Sequence, residues 1–198
     1  MNKTLQSYNK MAGVYDEGTA EFWEQFPTTV IDAFAENLKG KKILDLGSGP
    51  GRDALLLKKR NLDVTCVDGS SSMCEMTKKL GFETIRADFR ELSFPDESFD
   101  GVWAYTSLLH IPKEDMEEVL KKIHAILKSD GVFLVGMIQG EFEGDVRKEK
   151  WGDNLRYFKY YLPEELDTLV QSAGFQKVFS EKYRPHNNVY LNHIYVKI

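Results

Sequence analysis

Residues 41–57, KKILDLGSGPGRDALLL, constrain the fold more than any other stretch. A short apolar run, ILDL, ends abruptly at three glycines spaced G-x-G-x-G, and a helical pattern begins inside the turn. A strand that feeds a helix through a glycine turn is the opening unit of an open α/β sheet, with its ligand crevice at the carboxyl ends of the strands. The rest of the chain repeats the alternation. DVTCV, FETIRADF, FDGVWAY and VFLVGMI read as further strands, and SSMCEMTKKLG and PKEDMEEVLKKIHAILKSDG as helices between them. In the latter helix Met116, Val119, Leu120, Ile123, Ile126 and Leu127 form a stripe at three- and four-residue steps. Gly131 is expected to form the left-handed cap after it. Apolar strands alternating with helices predict a mostly parallel sheet covered on both faces.

The tail changes this rhythm. LPEELDTLVQSAG is a helix with Pro163 in its first turn, and FQKVFSEKY and NHIYVKI follow with no helix between them. They predict an antiparallel finish, giving a doubly wound Rossmann-like α/β sheet of seven strands with a C-terminal hairpin. Residues 20–38 carry Phe22, Phe26, Val30, Phe34 and Leu38 at helical spacing. Residues 139–160 read as a long loop of the lid or binding type, bearing Phe142, Trp151, Tyr157, Phe158 and Tyr160 among Arg147, Arg156 and lysines. Residues 1–198 are read as one domain.

Composition limits the partners. The chain has a formal net charge of −5, and its lysine pairs, such as Lys58–Lys59 and Lys121–Lys122, sit beside helices or strands as solvated surface. A nucleic-acid partner requires a basic stripe, so a small molecule is favoured over nucleic acid. Cys66 and Cys74 fit neither a zinc spacing nor a disulfide framework, and no metal is expected. The N-terminus lacks a signal-type apolar core and no run approaches the ~20 apolar residues of a membrane span, so a cytoplasmic protein is expected. No exposed apolar heptad sets an oligomeric state.

The glycines alone leave dinucleotide, phosphate or no ligand open. The dinucleotide pattern G-x-G-x-x-G fails because Arg52 stands at its third glycine, and no G-K-[ST] of a P-loop follows. Pro50 removes a backbone N–H that would face a phosphate. Asp45, just ahead of the turn, repels a pyrophosphate and suits a cation.

ILDLGSGPGRDALLL resembles the first motif of class I S-adenosylmethionine-dependent methyltransferases, of the small-molecule type. VTCVDGSSSMCEM, IRADFREL, FPDESFDGVWAYTSLLHIP and ILKSDGVFLVGM resemble the later motifs in order, and SYNKMAGVYDEG resembles the segment that folds over the cofactor. The likeness runs from about residue 8 to the C-terminus. It implies S-adenosyl-L-methionine as cofactor and S-adenosyl-L-homocysteine as product. It places Asp68 on the ribose hydroxyls, with Gly69 and Ser70 beside it. Asp88, with Ala87, falls on the adenine amino group, and Phe89 and Met73 on the adenine faces. Gly47 and Gly49 fall against the ribose and methionine portion, and Asp45 on the methionine ammonium. Arg52 is left between the methionine carboxylate and a pairing with Asp53 or Glu75. Tyr8, Tyr15 and Tyr105 join the cofactor set, residues 1–38 being its covering helices and 139–160 a lid insertion. His110, after the fourth strand, is the candidate catalytic group, to take a proton or orient the substrate. His124 reads as structural, while His186 and His193 flank the last hairpin. The absence of a [DNS]-P-P-[YFW] run at AYTS disfavours methylation of exocyclic base amines. A tRNA methyltransferase, a cofactor-binding regulatory protein without transfer activity and an NAD-dependent oxidoreductase remain the alternatives.

Overall fold

The computed structural model describes residues 3–147 and 154–198. Its main sheet contains β1 (Lys42–Leu46), β2 (Asp63–Asp68), β3 (Glu83–Arg86), β4 (Phe99–Tyr105), β5 (Leu127–Ile138), β8 (Phe175–Tyr183) and β9 (Tyr190–Lys197). Their order is β3-β2-β1-β4-β5-β9-β8. β1 to β5 pair in parallel, whereas β9 runs antiparallel to both β5 and β8. The strand order reverses at β1, which lies between β2 and β4. That switch point is where a parallel sheet opens a crevice.

Period-2 alternation sorts the strand side chains between two cores. Leu44, Leu46, Val102, Phe133 and Val135 pack with Met116, Val119, Leu120 and Ile123 of α5 (Lys113–Ile126) and with Leu166 and Val170 of α6 (Pro163–Ser172). Ile43, Trp103, Tyr105, Val132 and Leu134 pack on the other face with Val30, Ile31 and Phe34 of α2 (Thr28–Asn37). Each such side chain, taken fully out of water, contributes about 1.5–3 kcal/mol. The same alternation puts Asp45 on the α2 face, two residues after Ile43, where it is buried. The parallel sheet and its C-terminal hairpin are as the sequence predicts, and Cys66 and Cys74 are free, buried thiols.

Three local expectations change. The helical pattern of residues 20–38 belongs to two helices, α1 (Lys3–Glu24) and α2, because Pro27 sits at the N-cap of the second. Gly131 is not the left-handed residue. That role falls to Asp130 at φ +61°, and Gly131 is required because a Cβ there would stand 2.7 Å from the Lys128 carbonyl oxygen. Residues 139–160 are not simply loop: β6 (Glu143–Arg147) and β7 (Leu155–Lys159) form an antiparallel hairpin. Trp151 lies outside the described residues. Among the described residues no helix is long and apolar enough to cross a membrane, and no group of His, Cys, Asp and Glu is arranged to hold a metal.

Candidate active site

The turn after β1 closes on the sheet through its backbone. Gly47 and Ser48 both donate N–H bonds to the Val67 carbonyl of β2, at 2.7 and 3.0 Å. Gly47 has φ +83°, and a Cβ on it would lie 2.2 Å from that of Ser107, so only glycine permits this approach. Gly49 has φ +51° and nothing within 4 Å of where a Cβ would be: its bare face is open to a ligand. Its N–H donates to Asp68 Oδ2 at 2.9 Å, while Ser70 N–H donates to Oδ1 at 2.8 Å. Burial pushes the Asp68 carboxyl up to about 6, against the pull of these N–H groups.

Above this floor lies a cavity of about 830 Å³, part of it continuous with solvent. Gly47, Gly49 and Arg52 line it from the turn and the start of α3 (Arg52–Lys58). Asp68, Gly69 and Met73 line it from the end of β2 and from α4 (Ser71–Lys79), and Ala87, Asp88 and Phe89 from the exit of β3. Tyr105 and His110 enter from β4 and the loop after it, and Tyr8 and Tyr15 come from α1. Met73 and Tyr105 are buried and the other side chains of this set half-buried.

Asp45 and Ser70 stand outside the lining. Asp45 lies beneath the turn at 1% exposure, because strand alternation turns it into the sheet's α2 side. Burial first, then the charges of Asp53 and Asp68, hold its carboxyl well above the usual range. Ser70 is spent on helix structure: it accepts from Met73 N–H as the N-cap of α4 and donates to Asn9 Oδ1 at 2.8 Å. Arg52 pairs with neither Asp53 nor Glu75. Its guanidinium reaches Asp16 on α1, at 2.7 Å, since α1 lies over the turn. Asp88 is gripped by Arg90, at 2.9 Å on one oxygen and 2.8 Å on the other, and these bonds hold its carboxyl below the usual range.

A second set of contacts closes the cavity from above. His110 Nδ1 lies 2.6 Å from the Tyr157 carbonyl, which can only accept, so Nδ1 carries the proton. Nε2 therefore accepts from the Tyr8 hydroxyl at 2.8 Å. That hydroxyl in turn accepts from Arg156 at 3.2 Å, with the guanidinium 5.4 Å from the Tyr8 ring centre. Burial, and after it the nearby Arg156 charge, push His110 down to about 4, so it stays neutral. Both ring nitrogens are engaged while α1 is docked. Tyr157 N–H also donates to Thr4, and Ser7 to the Leu155 carbonyl, tying α1 to β7. His124, His186 and His193 are all absent from the lining. His193 bonds Asp167 at 3.1 Å.

Sequence reasoning missed Leu5, Trp23, Asp53 and Thr106, which also line the cavity. Asp53 was discoverable as an acid in the first turn of the helix after the glycines. Thr106 was not: it takes a left-handed φ of +50° just past the end of β4, where its N–H donates to the Gly136 carbonyl at 3.0 Å. Arg156 meets Tyr8 across 148 residues, which no local pattern signals.

The methyltransferase domain family matches residues 43–131, from β1 into β5. The sheet has a Rossmann-like arrangement, a fold shared with a solved S-adenosylmethionine-dependent methyltransferase of Methanosarcina mazei. A sterol 24-C-methyltransferase of Aspergillus fumigatus is 34% identical over 167 residues, covering 72% of this chain and 42% of that protein. The chain thus spans less than half the length of that curated relative. The structure is similar to the DhpI–SAH complex, with a TM-score of 0.79 and 20% identity over 98% of this chain and 95% of that one. It is also similar to the 1,6-didemethyltoxoflavin N1-methyltransferase of Burkholderia thailandensis, with bound 1,6-didemethyltoxoflavin and S-adenosylhomocysteine. There the TM-score is 0.74 and the identity 21%, over 98% of this chain and 87% of that one.

Proposed function

We propose that the domain is an enzyme that transfers a methyl group from S-adenosyl-L-methionine to a small molecule, releasing S-adenosyl-L-homocysteine. The observation that carries this reading is Asp68. It stands at the end of β2 on the cavity wall, its oxygens fixed by the N–H groups of Gly49 and Ser70. A carboxylate so held keeps lone pairs for the two ribose hydroxyls of an adenosine. Gly49 offers the bare backbone beside it, and Phe89 and Met73 the apolar faces for the base. The buried Asp45 and the half-buried Asp68 make the region attractive to a cation, as a sulfonium with an ammonium arm would be.

When bound, the cofactor supplies a methyl group on positively charged sulfur, ready for direct displacement. What the chain contributes is placement and exclusion of water. Asp68 and the glycine turn hold the donor. Tyr8 and Tyr15 cover it, and Arg52 takes the carboxylate end by giving up Asp16 or sharing it. His110 anchors Tyr8, and it receives an acceptor's proton only after the Tyr8 hydroxyl has left Nε2. Residues 1–38 act as the cover and 139–160 as a lid on a single domain. The net charge of −5 favours a small acceptor over a nucleic acid. The sterol and toxoflavin substrates of the similar proteins fit the same class. Two buried free thiols suit a reducing, cytoplasmic setting.

Calorimetry with S-adenosyl-L-methionine and with NAD tests the reading. The first should bind and the second should not. Asp68→Ala should weaken binding at least ~100-fold, given that hydrogen bonds to a charged group contribute ~1.5–3 kcal/mol each. Undiminished binding by that variant would sink the assignment. Release of S-adenosyl-L-homocysteine with a metabolite extract but not with tRNA supports the small-molecule class, and the reverse pattern overturns it.

A further inference from the structure

One corner of the cavity is built differently from the rest. Asp53, Tyr105, Trp23 and Tyr15 all line it; the Tyr105 ring lies beside Trp23, and Asp53 is close enough for its charge to act on both Tyr15 and Tyr105. Asp53 is 5% exposed and Tyr105 3%, yet both face the cavity. The Tyr105 hydroxyl is buried without a hydrogen-bond partner, and so is Asp53 Oδ1. The indole of Trp103 is the neighbour that favours the charged form of Asp53. The Tyr105 ring lies 5.8 Å from Trp23 and is seated against Gly136, where a Cβ would come 2.5 Å from it. A phenol hydroxyl and one carboxylate oxygen left without partners in the wall of a cavity are costly unless a ligand's polar group completes them.

The charges of the lining indicate which polar group that is. The single Lys or Arg lining the cavity among the described residues is Arg52, already bonded to Asp16. His110 is neutral. A carboxylate or phosphate on an acceptor would meet no spare positive charge. A cation would meet Asp53 together with the faces of Trp23, Tyr15 and Tyr105, the combination that holds organic ammonium groups. We infer that the Asp53–Tyr105 corner binds the amino group of the methyl acceptor, and that the acceptor is a small amine carrying an aromatic or other flat apolar body.

This inference rests on the methyl-transfer reading above, and it gives Asp53 a catalytic role. A bound ammonium passes a proton to the Asp53 carboxylate, and the freed nitrogen lone pair forms the N–C bond. The C–S bond breaks with its electron pair remaining on sulfur, so the positive charge moves from sulfur to the methylated nitrogen. Asp53 then returns its proton to solvent. Burial raises the Asp53 carboxyl to about 8; the charge of a bound ammonium favours its ionised form, and the remaining gap to the ~10 of an alkylamine is the one the first proton must cross.

The test is calorimetry with three probes of one shape, 2-phenylethylamine, 2-phenylethanol and phenylacetate, on the protein alone and on protein saturated with S-adenosyl-L-homocysteine. The amine should bind at least ten-fold more tightly than the alcohol, with phenylacetate weakest. Asp53→Asn should abolish that preference while changing S-adenosyl-L-homocysteine affinity less than three-fold. Tyr105→Phe, which removes only an unpartnered hydroxyl, should lower amine affinity several-fold and keeps the test available if the first variant folds poorly. Equal binding of amine and alcohol overturns the inference. So does a ten-fold loss of S-adenosyl-L-homocysteine affinity in Asp53→Asn with the amine preference intact, which would assign the corner to the cofactor's own ammonium. Failure of S-adenosyl-L-homocysteine to bind the wild type would strike the methyl-donor reading instead, while the probes on the protein alone still judge the corner.

Discussion

The floor and the cover of the cavity are built by different means. The floor is a short piece of backbone: Gly47, Gly49 and the end of β2 fit together through main-chain bonds and one carboxylate, Asp68. The cover is assembled from side chains far apart in sequence. Tyr8 on α1, His110 after β4 and Arg156 on β7 meet in one network, and Asn9 joins α1 to the start of α4. A backbone floor is rigid because it is part of the sheet. A side-chain cover opens by exchanging a few hydrogen bonds with water, each worth only about 0.5–1.5 kcal/mol net. The contrast suits a site that must hold its donor in one place and yet exchange it every turnover.

The largest effect should come from damaging the floor. Gly47→Ala places a methyl group 2.2 Å from the Ser107 Cβ, at φ +83°. Left-handed strain costs about 1–2 kcal/mol and overpacking about 1–3 more. Denaturant unfolding should show a loss of about 2–5 kcal/mol. A variant of wild-type stability would mean that the floor is as yielding as the cover.

Acidity should separate the halves by sign. His110 is neutral when folded, pushed down to about 4 from an ordinary 6.5. Between those values the unfolded chain binds the extra proton, so the cover gains stability as pH rises from 4 to 6.5. Asp68 is raised to about 6 from 3.8. Between those values the folded state holds the extra proton, so the contribution of Asp68 is present at low pH and is lost as pH rises through 6. Hydrogen exchange at pH 4.5 and 7, corrected for intrinsic rates, should find α1 and residues 108–110 better protected at pH 7. The amides of Gly49 and Ser70, bonded to Asp68, should gain less or lose protection. A uniform change across both halves would erase the distinction.

The same division explains what could be read from the sequence. The floor was legible because its signals are local: a strand, a glycine turn and an acid at the next strand's end occupy fixed short spacings. The parallel sheet followed from the same alternation. Asp45 was visible as an acid, but not that strand alternation would turn it beneath the cavity. The partner of Arg52 was missed because Asp16 reaches it only after α1 has folded across the sheet. The β6–β7 hairpin looked like loop because β6, EGDVR, carries little β-forming pattern and gains its place by pairing with β7. His110 drew attention as a base on position alone. Its engagement by Tyr8 and Tyr157 depends on packing that no spacing reveals.

The smallest effect should come from Asn9, and it isolates the cover. Its side-chain oxygen accepts from the hydroxyls of Ser70 and Ser71 at 2.8 and 3.1 Å and from Ser72 N–H at 3.3 Å. The site is partly open, so in Asn9→Ala water replaces most of what is lost, and the expected cost is about 0.5–1.5 kcal/mol. Ser70 still caps α4 through Met73 N–H, so α4 and the Asp68 floor beside it should keep their protection. The loss should fall on α1, seen as faster exchange there and as quicker dissociation of S-adenosyl-L-homocysteine with little change in its association rate. If α4 and the Gly49 amide loosen by the same amount as α1, cover and floor open as one unit, and donor exchange then requires the sheet end itself to yield.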